Sequence, residues 1–344
     1  MKVWLWLSRL VAAPVLAAVA ILAVLGMRTP WSASGWIVLA ALGVSAARLF
    51  VRAPRTRLLL WALGAVSIAS VMAVRLLSSG APDVMLTLPG ATSSRWLGRI
   101  VDEQDVSLVG ARVLAWRWPL TADERDGLAR EMRAAYVEMR GETSASPSPV
   151  LDTAFGRQHP DGFDTLVFEA PERASGTAVV FLHGFGGSFR LECWLVARAA
   201  RTIDAITVCP ATALSGRWSG RDGERTLAAT LDYLQARGIR RVYLAGLSNG
   251  AAGASALAPK FASSLGGLIL ISGAPAGGTY AGLPTLVVQG EHDPMASAAG
   301  ARAFAARTHA TYVSFDGGHF VLVMQRARTR DAIGRWLRQQ EGPR

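Results

Sequence analysis

The stretch LAGLSNGAAG (244–253) contains Gly246-Leu247-Ser248-Asn249-Gly250, a serine flanked at two positions by glycine. A serine hydroxyl is a weak nucleophile at neutral pH. It becomes a strong one when a base takes its proton and an acid orients that base. Two later stretches offer those groups. LVVQGEHDPM places Asp293 just after an apolar run, and VSFDGGHF places His319 in a glycine-rich loop. In the order Ser248, Asp293, His319 the chain has a candidate nucleophile, acid and base for attack on an acyl carbonyl. The competing bases are His292, beside the acid, and His309, at the end of a helical stretch. The competing acids are Glu291 and Asp316; Glu291 reads as a loop residue pairing with an arginine.

A nucleophile in such a turn needs a strand before it and a helix after it. RRVYLAG reads as a buried strand and AAGASALAPKF as the start of a helix, with Ser248 on the sharp turn between them. From about residue 164 the pattern alternates. Strands are predicted at Thr177–Leu182, Ile203–Cys209, Arg241–Ala245, Gly267–Ser272, Thr285–Gln289 and Thr311–Ser314, with helices between most of them, including Glu224–Arg237 and Met295–Ala306. Strands apolar on both faces and separated by helices predict an α/β fold with a mostly parallel sheet covered on both sides. Just upstream, Leu151–Arg157 and Thr165–Glu169 are predicted as two strands joined through His159-Pro160-Asp161-Gly162.

With FLHGFGG (181–187), G-L-S-N-G, G-E-H-D-P and G-G-H-F in this order, residues 150–340 resemble the α/β-hydrolase superfamily. That resemblance implies a Ser248–His319–Asp293 triad. It also implies an oxyanion hole made by the backbone amides of Phe185 and Asn249, with His183 shaping the loop. Only a dozen residues part Ser272 from Thr285, too few for a lid insertion. The active site is therefore expected to be open, or covered by residues 78–150 or by a membrane surface. Trp218, in the polar loop LSGRWSGRDGE, and Phe189 are the candidate substrate-pocket residues.

The first part of the chain has a different character. The whole sequence has 344 residues, is 51% hydrophobic and carries a formal charge of +11, nearly all of it arginine, with Lys2 and Lys260 the only lysines. The arginines are scattered and flank apolar runs, which argues against a nucleic-acid interface. Three runs without internal charge, Leu10–Met27, Trp31–Ala47 and Leu58–Val74, predict three transmembrane helices. Arg48, Arg52, Arg55 and Arg57 crowd the second connection and Arg28 stands alone in the first. The positive-inside rule then predicts a multi-pass protein of the cytoplasmic membrane with its catalytic domain outside.

The expected organisation is a membrane domain over 1–77, a linker and preamble over 78–150 with a Thr121-capped helix at Ala122–Met139, and a catalytic domain over 151–344. SSGAPD (78–83) and ETSASPSP (142–149) read as linker and loop. No Cys/His cluster is present, so neither metal nor cofactor is expected. Cys193 and Cys209 form a disulfide or remain two buried thiols. The expected substrate is a small-molecule or lipid ester. A peptidase or acyltransferase on the same triad, and a membrane interaction protein with a degenerate hydrolase domain, are the alternatives.

Overall fold

The computed structural model describes residues 2–29, 31–77, 83–90, 97–143, 147–170 and 176–342. Most of the 78–83 linker, and residues 144–146 of the 142–149 loop, lie outside the described residues. The chain begins with α1 (Lys2–Arg28), α2 (Ala33–Ala47) and α3 (Pro54–Leu77). α1 and α3 are long and apolar enough to cross a bilayer over Leu10–Arg28 and Pro54–Val74. Leu10, Ile21, Leu59 and Val66 are exposed on them. The expectation of three such helices is corrected to two. α2 has 15 residues, about 22 Å at the helical rise, against about 30 Å of hydrocarbon. It packs against both neighbours.

The rest is organised by one eight-stranded sheet of order β1-β2-β4-β3-β5-β6-β7-β8. Its strands are β1 (Asp83–Leu88), β2 (Phe163–Phe168), β3 (Thr177–Leu182), β4 (Ile206–Pro210), β5 (Arg241–Leu247), β6 (Leu265–Ile271), β7 (Thr285–Gly290) and β8 (Thr311–Phe315). β2 runs antiparallel to both β1 and β4, and every other pairing is parallel. β2 to β7 are buried almost throughout, as runs rich in Val, Ile and Leu require when helices cover both faces. The sheet thus starts in the segment read as linker and preamble, since β1 pairs with β2 along its whole length, from Asp83 opposite Phe168 to Leu88 opposite Phe163.

Between β1 and β2 the chain forms α4 (Glu103–Arg117), α5 (Ala122–Glu142) and the short α6 (Val150–Ala154). α6 corrects the strand predicted at Leu151–Arg157. Pro149 precedes it, compatible with a helix start, and Val150, Asp152 and Thr153 face inward. α5 begins where predicted. Thr121 and Glu124 form a capping box, the reciprocal arrangement that satisfies orphan N–H groups at a helix start.

The remaining helices are α7 (Arg190–Ala200), α8 (Arg221–Ala236), α9 (Asn249–Leu257), α10 (Ala298–Thr308), α11 (Val321–Met324) and α12 (Arg326–Glu341). One apolar core joins α4, α5, α7 and α12 to one face of the sheet through Leu108, Leu128, Trp194 and Trp336. The other joins α8, α9 and α10 to the opposite face through Leu227, Leu257 and Phe304. Cys193 of α7 and Cys209 of β4 form a disulfide with a Cα–Cα distance of 6.1 Å.

Glu103 fastens α4 and α5 to this body. Its buried carboxylate accepts hydrogen bonds from the backbone N–H groups of Arg190 (2.7 Å) and Leu191 (2.9 Å) and from the Tyr136 hydroxyl (2.8 Å). The Ser148 hydroxyl donates to it as well. α7 has no side-chain cap of its own, so a residue far upstream in sequence serves as one. Burial pushes the Glu103 carboxyl up in spite of these four donors. Glu103→Ala leaves two buried N–H groups unsatisfied, at about 1–3 kcal/mol each. It is expected to lower the unfolding free energy by roughly 3 kcal/mol in chemical denaturation. A loss below about 0.5 kcal/mol, the scale of an ordinary surface substitution, would show that the cap carries no weight.

Candidate active site

Ser248 sits at the turn from β5 into α9, with φ 54° and ψ −118°. A non-glycine residue seldom adopts such angles, and holding it there costs on the order of 1–3 kcal/mol. The turn is possible because its neighbours are glycines. A Cβ on Gly246 would strike the Gly250 carbonyl, and one on Gly250 would strike the Leu182 carbonyl. The tight turn lifts the Ser248 side chain to the carboxyl edge of the sheet.

There the structure brings the three sequence candidates together. His319 Nε2 lies 3.0 Å from Ser248 Oγ, and His319 Nδ1 lies 2.8 Å from Asp293 Oδ2. Asp293 follows β7 and His319 follows β8, so three strand ends supply the three groups. Asp293 is held by four donors. Met295 N and Ala296 N each donate to Oδ1 at 2.8 Å. Gln289 Nε2 donates to Oδ2 at 2.8 Å beside the histidine. Burial pushes the Asp293 carboxyl up, but the His319 hydrogen bond and charge and the two backbone N–H groups outweigh it and leave it below its ordinary value.

The rival groups are placed elsewhere. His292 is exposed and pairs with Asp316 at 3.3 Å. His309 ends α10 in a left-handed conformation. Glu291 accepts a 2.8 Å hydrogen bond from the Ser314 hydroxyl, instead of pairing with an arginine.

The 181–187 loop passes beside the serine. A Cβ on Gly184 would lie 3.2 Å from Ser248 Cβ, so glycine permits the close approach. Phe185 follows it and lines the cleft with Asn249. His183 is buried, and burial pushes its imidazole down to about 4. Thr212 N donates to its Nε2 at 3.0 Å, and its Nδ1 lies 2.8 Å from the Gly184 carbonyl. The ring is therefore neutral, with its proton on Nδ1, and braces the loop.

The pocket assignment of Trp218 is corrected. Its side chain is 0% exposed. It packs within the α8–α10 core and donates from Nε1 to the His183 carbonyl at 3.0 Å, supporting the loop from below. Phe189 ends half-buried at the start of α7, against Gly186, and is not among the described residues that line the cleft. A tryptophan in a polar loop gave no sequence signal to distinguish a brace from a pocket wall.

The cleft above Ser248 has a volume of about 400 Å³. Its apolar wall includes Leu114, Trp118, Phe185, Met295, Leu322 and Val323. Leu114 lies in the last turn of α4 and Trp118 follows the helix, so the segment between β1 and β2 supplies part of the wall. The same segment steadies the loop that carries His319: buried Glu124 of α5 accepts a 2.6 Å hydrogen bond from the backbone N–H of Phe320.

Sequence reasoning missed Glu192, which also lines the cleft. Burial, and then the nearby charge of Glu103, push its carboxyl up to about 8. The ordinary value is near 4.5, so between these limits the folded chain keeps a proton that the unfolded chain has lost. Its contribution to stability therefore falls as pH rises through that window and levels off above it. Glu192→Gln keeps the shape without the titration. It is expected to flatten the fall in thermal unfolding temperature between about pH 5 and pH 8. An unchanged slope would exclude Glu192 as its source.

No protein-family model matches the sequence, and no curated protein matches it. Among solved structures, the chain is similar to an α/β serine hydrolase without lid from Xanthomonas campestris, at 22% identity over 53% of this chain and 91% of that one, with a TM-score of 0.44. It is similar to a thermophilic esterase from Thermogutta terrifontis at 19% identity over 53% and 96%, TM-score 0.43. It is also similar to a Pyrococcus furiosus esterase at 12% identity over 54% and 89%, TM-score 0.45. With its strand order, its antiparallel second strand and its strand–serine–helix turn, the sheet-bearing part of the chain has the α/β-hydrolase fold.

Proposed function

We propose that the chain is a membrane-anchored serine hydrolase that cleaves a carboxylic ester. The observation that carries this reading is the hydrogen-bonded line from Asp293 through His319 to Ser248 at the floor of an apolar cleft. Ser248 Oγ attacks the acyl carbonyl while His319 Nε2 takes its proton. Asp293 holds the imidazole with its other proton on Nδ1 and stabilises the imidazolium. The amides of Phe185 and Asn249 receive the oxyanion, a contribution worth about 3–4 kcal/mol per donor in such sites. His319 then protonates the leaving alcohol, and water hydrolyses the acyl-enzyme by the same steps.

α1 and α3 are the anchor, and α2, shorter than the hydrocarbon thickness, recrosses between them with the flanking Arg48 snorkelling to the headgroups and the bilayer thinned locally. Two observations support a catalytic domain on the outer side of the cytoplasmic membrane. The first connection, which carries a single arginine, contacts α4 of the catalytic domain. The Cys193–Cys209 disulfide suits an oxidising compartment.

Full-length protein in detergent, given p-nitrophenyl esters of increasing acyl length and a fluorophosphonate probe, tests the chemistry. The expected result is ester hydrolysis with a chain-length optimum and probe label on Ser248. Label without ester hydrolysis redirects the reading to a peptidase or acyltransferase. A folded protein that takes no label overturns it in favour of an interaction protein.

A further inference from the structure

The outer face of α4 has the wrong chemistry for water. Its inner face, Leu108 and Ala111, belongs to the core. Opposite, Val106, Val109, Val113 and Trp116 recur at helical spacing and form one stripe. Val113 is 42% and Trp116 79% exposed.

Both ends of this stripe lead somewhere. At the amino end, Val106 and Val109 line an apolar groove of about 240 Å³ with Leu22 of α1 and Val38, Leu39 and Leu42 of α2. Asp105 fixes that junction: it accepts hydrogen bonds from Ser32 N (2.8 Å) and Ser32 Oγ (2.6 Å), at the start of α2. Arg112 Nη2 adds a 3.2 Å bond to the Arg28 carbonyl at the end of α1. At the carboxyl end, Leu114 and Trp118 line the Ser248 cleft, and the Trp118 ring lies 6.0 Å from that of Phe185, which is exposed on the rim. Apolar side chains of this one segment thus meet the bilayer-length helices at its amino end and the mouth of the cleft at its carboxyl end. Arg117 lies over the Trp116 ring at 5.2 Å. Tryptophan and arginine beside an aliphatic stripe are what a helix lying in a membrane interface requires, with rings at headgroup depth and cations toward phosphates.

We propose that the outer face of α4 lies in the headgroup region of the membrane that holds α1 and α3, and that the substrate is an acyl-ester lipid resident in that membrane. Its acyl chain leaves the bilayer along Val109, Val113 and Trp116 and enters the cleft beside Trp118. Ser248 Oγ forms the new ester bond to the acyl carbon, and the bond to the lipid's alcohol oxygen breaks. That oxygen takes the proton from His319, and water later releases the fatty acid. The proposal rests on the serine-hydrolase and membrane-anchor readings and adds the substrate class and its route.

The test uses the full chain reconstituted in vesicles of phosphatidylcholine with a minor fraction of phosphatidylglycerol. Umbelliferyl palmitate dissolved in the bilayer is compared with umbelliferyl butyrate added in water, for the wild type, a Val113→Glu/Trp116→Glu variant and the conservative Trp116→Phe. Thermal unfolding of each checks that it is folded. Two buried charges in place of two apolar contacts are expected to slow palmitate hydrolysis at least about tenfold. The butyrate rate should stay within about twofold, the effect of an ordinary surface change. Trp116→Phe should match the wild type on both. An unchanged palmitate rate in the double variant, or equal losses on both substrates, overturns the route; the first outcome would also return the stripe to a protein partner. If the wild type hydrolyses neither ester, the esterase reading fails and this inference with it.

Discussion

Ser248→Ala is expected to lower kcat for p-nitrophenyl esters by about 10⁵–10⁶-fold. The size follows from what the substitution removes and what it leaves. It removes the hydroxyl 3.0 Å from His319 Nε2, the atom that would carry the acyl group. It leaves the Phe185 and Asn249 amides and the apolar cleft in place, and such remnants keep about 10³–10⁴-fold over water in serine hydrolases. The fold should tolerate the change. Alanine at φ 54° is no more hindered than serine, the Ser248 N–H keeps its 2.9 Å bond to the Ile271 carbonyl, and His319 keeps Asp293. Thermal unfolding should match the wild type, while fluorophosphonate labelling disappears. A variant that stayed within about tenfold of wild type would assign the hydrolysis to another group, because no residual mechanism of the same site is that efficient.

How much of this was legible in sequence depended on range. Ser248, Asp293 and His319 could be read because each follows a strand with its own local pattern, and their spacing in the chain reflects the order of strand ends along the sheet. β3 to β7 were legible for the same reason: buried parallel strands are short apolar runs. β1 was not. Asp83–Leu88 is an edge strand with a polar start, next to a Ser/Gly/Pro stretch, and nothing local tells a strand from a linker tail there. Leu151–Arg157 misled in the opposite direction, since its alternation resembles a strand, yet Pro149 and three inward-facing residues make it helical. Glu103 and Glu192 were invisible for a third reason. Their surroundings are assembled by tertiary contacts: Glu103 meets α7 across 87 residues, and Glu192 is charged or neutral according to a cleft wall that α4 helps to build.

Asp293→Asn is expected to lower kcat about 10⁴-fold with little change in unfolding temperature. The hydrogen bonds around Asp293 decide which way the amide must turn. Oδ1 accepts from Met295 N and Ala296 N, which cannot reverse roles. Asparagine must therefore place its oxygen there, and its NH2 group falls at the former Oδ2. That position faces two donors, Gln289 Nε2 and the Nδ1–H of His319. Gln289 can accept only by turning its amide and giving up the 3.1 Å bond from its Nε2 to the Ala296 carbonyl. His319 has only one way to accept, by moving its proton from Nδ1 to Nε2. The nitrogen that must take the Ser248 proton is then already protonated, so the base is lost with every heavy atom in place. The loss should be nearly constant across substrates in kcat, with KM almost unchanged, because no cleft wall has moved. It should also shrink at high pH, where the Nε2 proton is more easily given up or hydroxide substitutes for the base. A variant that fell only about tenfold, uniformly in pH, would mean that His319 keeps its working tautomer without Asp293, and that the carboxylate supplies charge without fixing the proton.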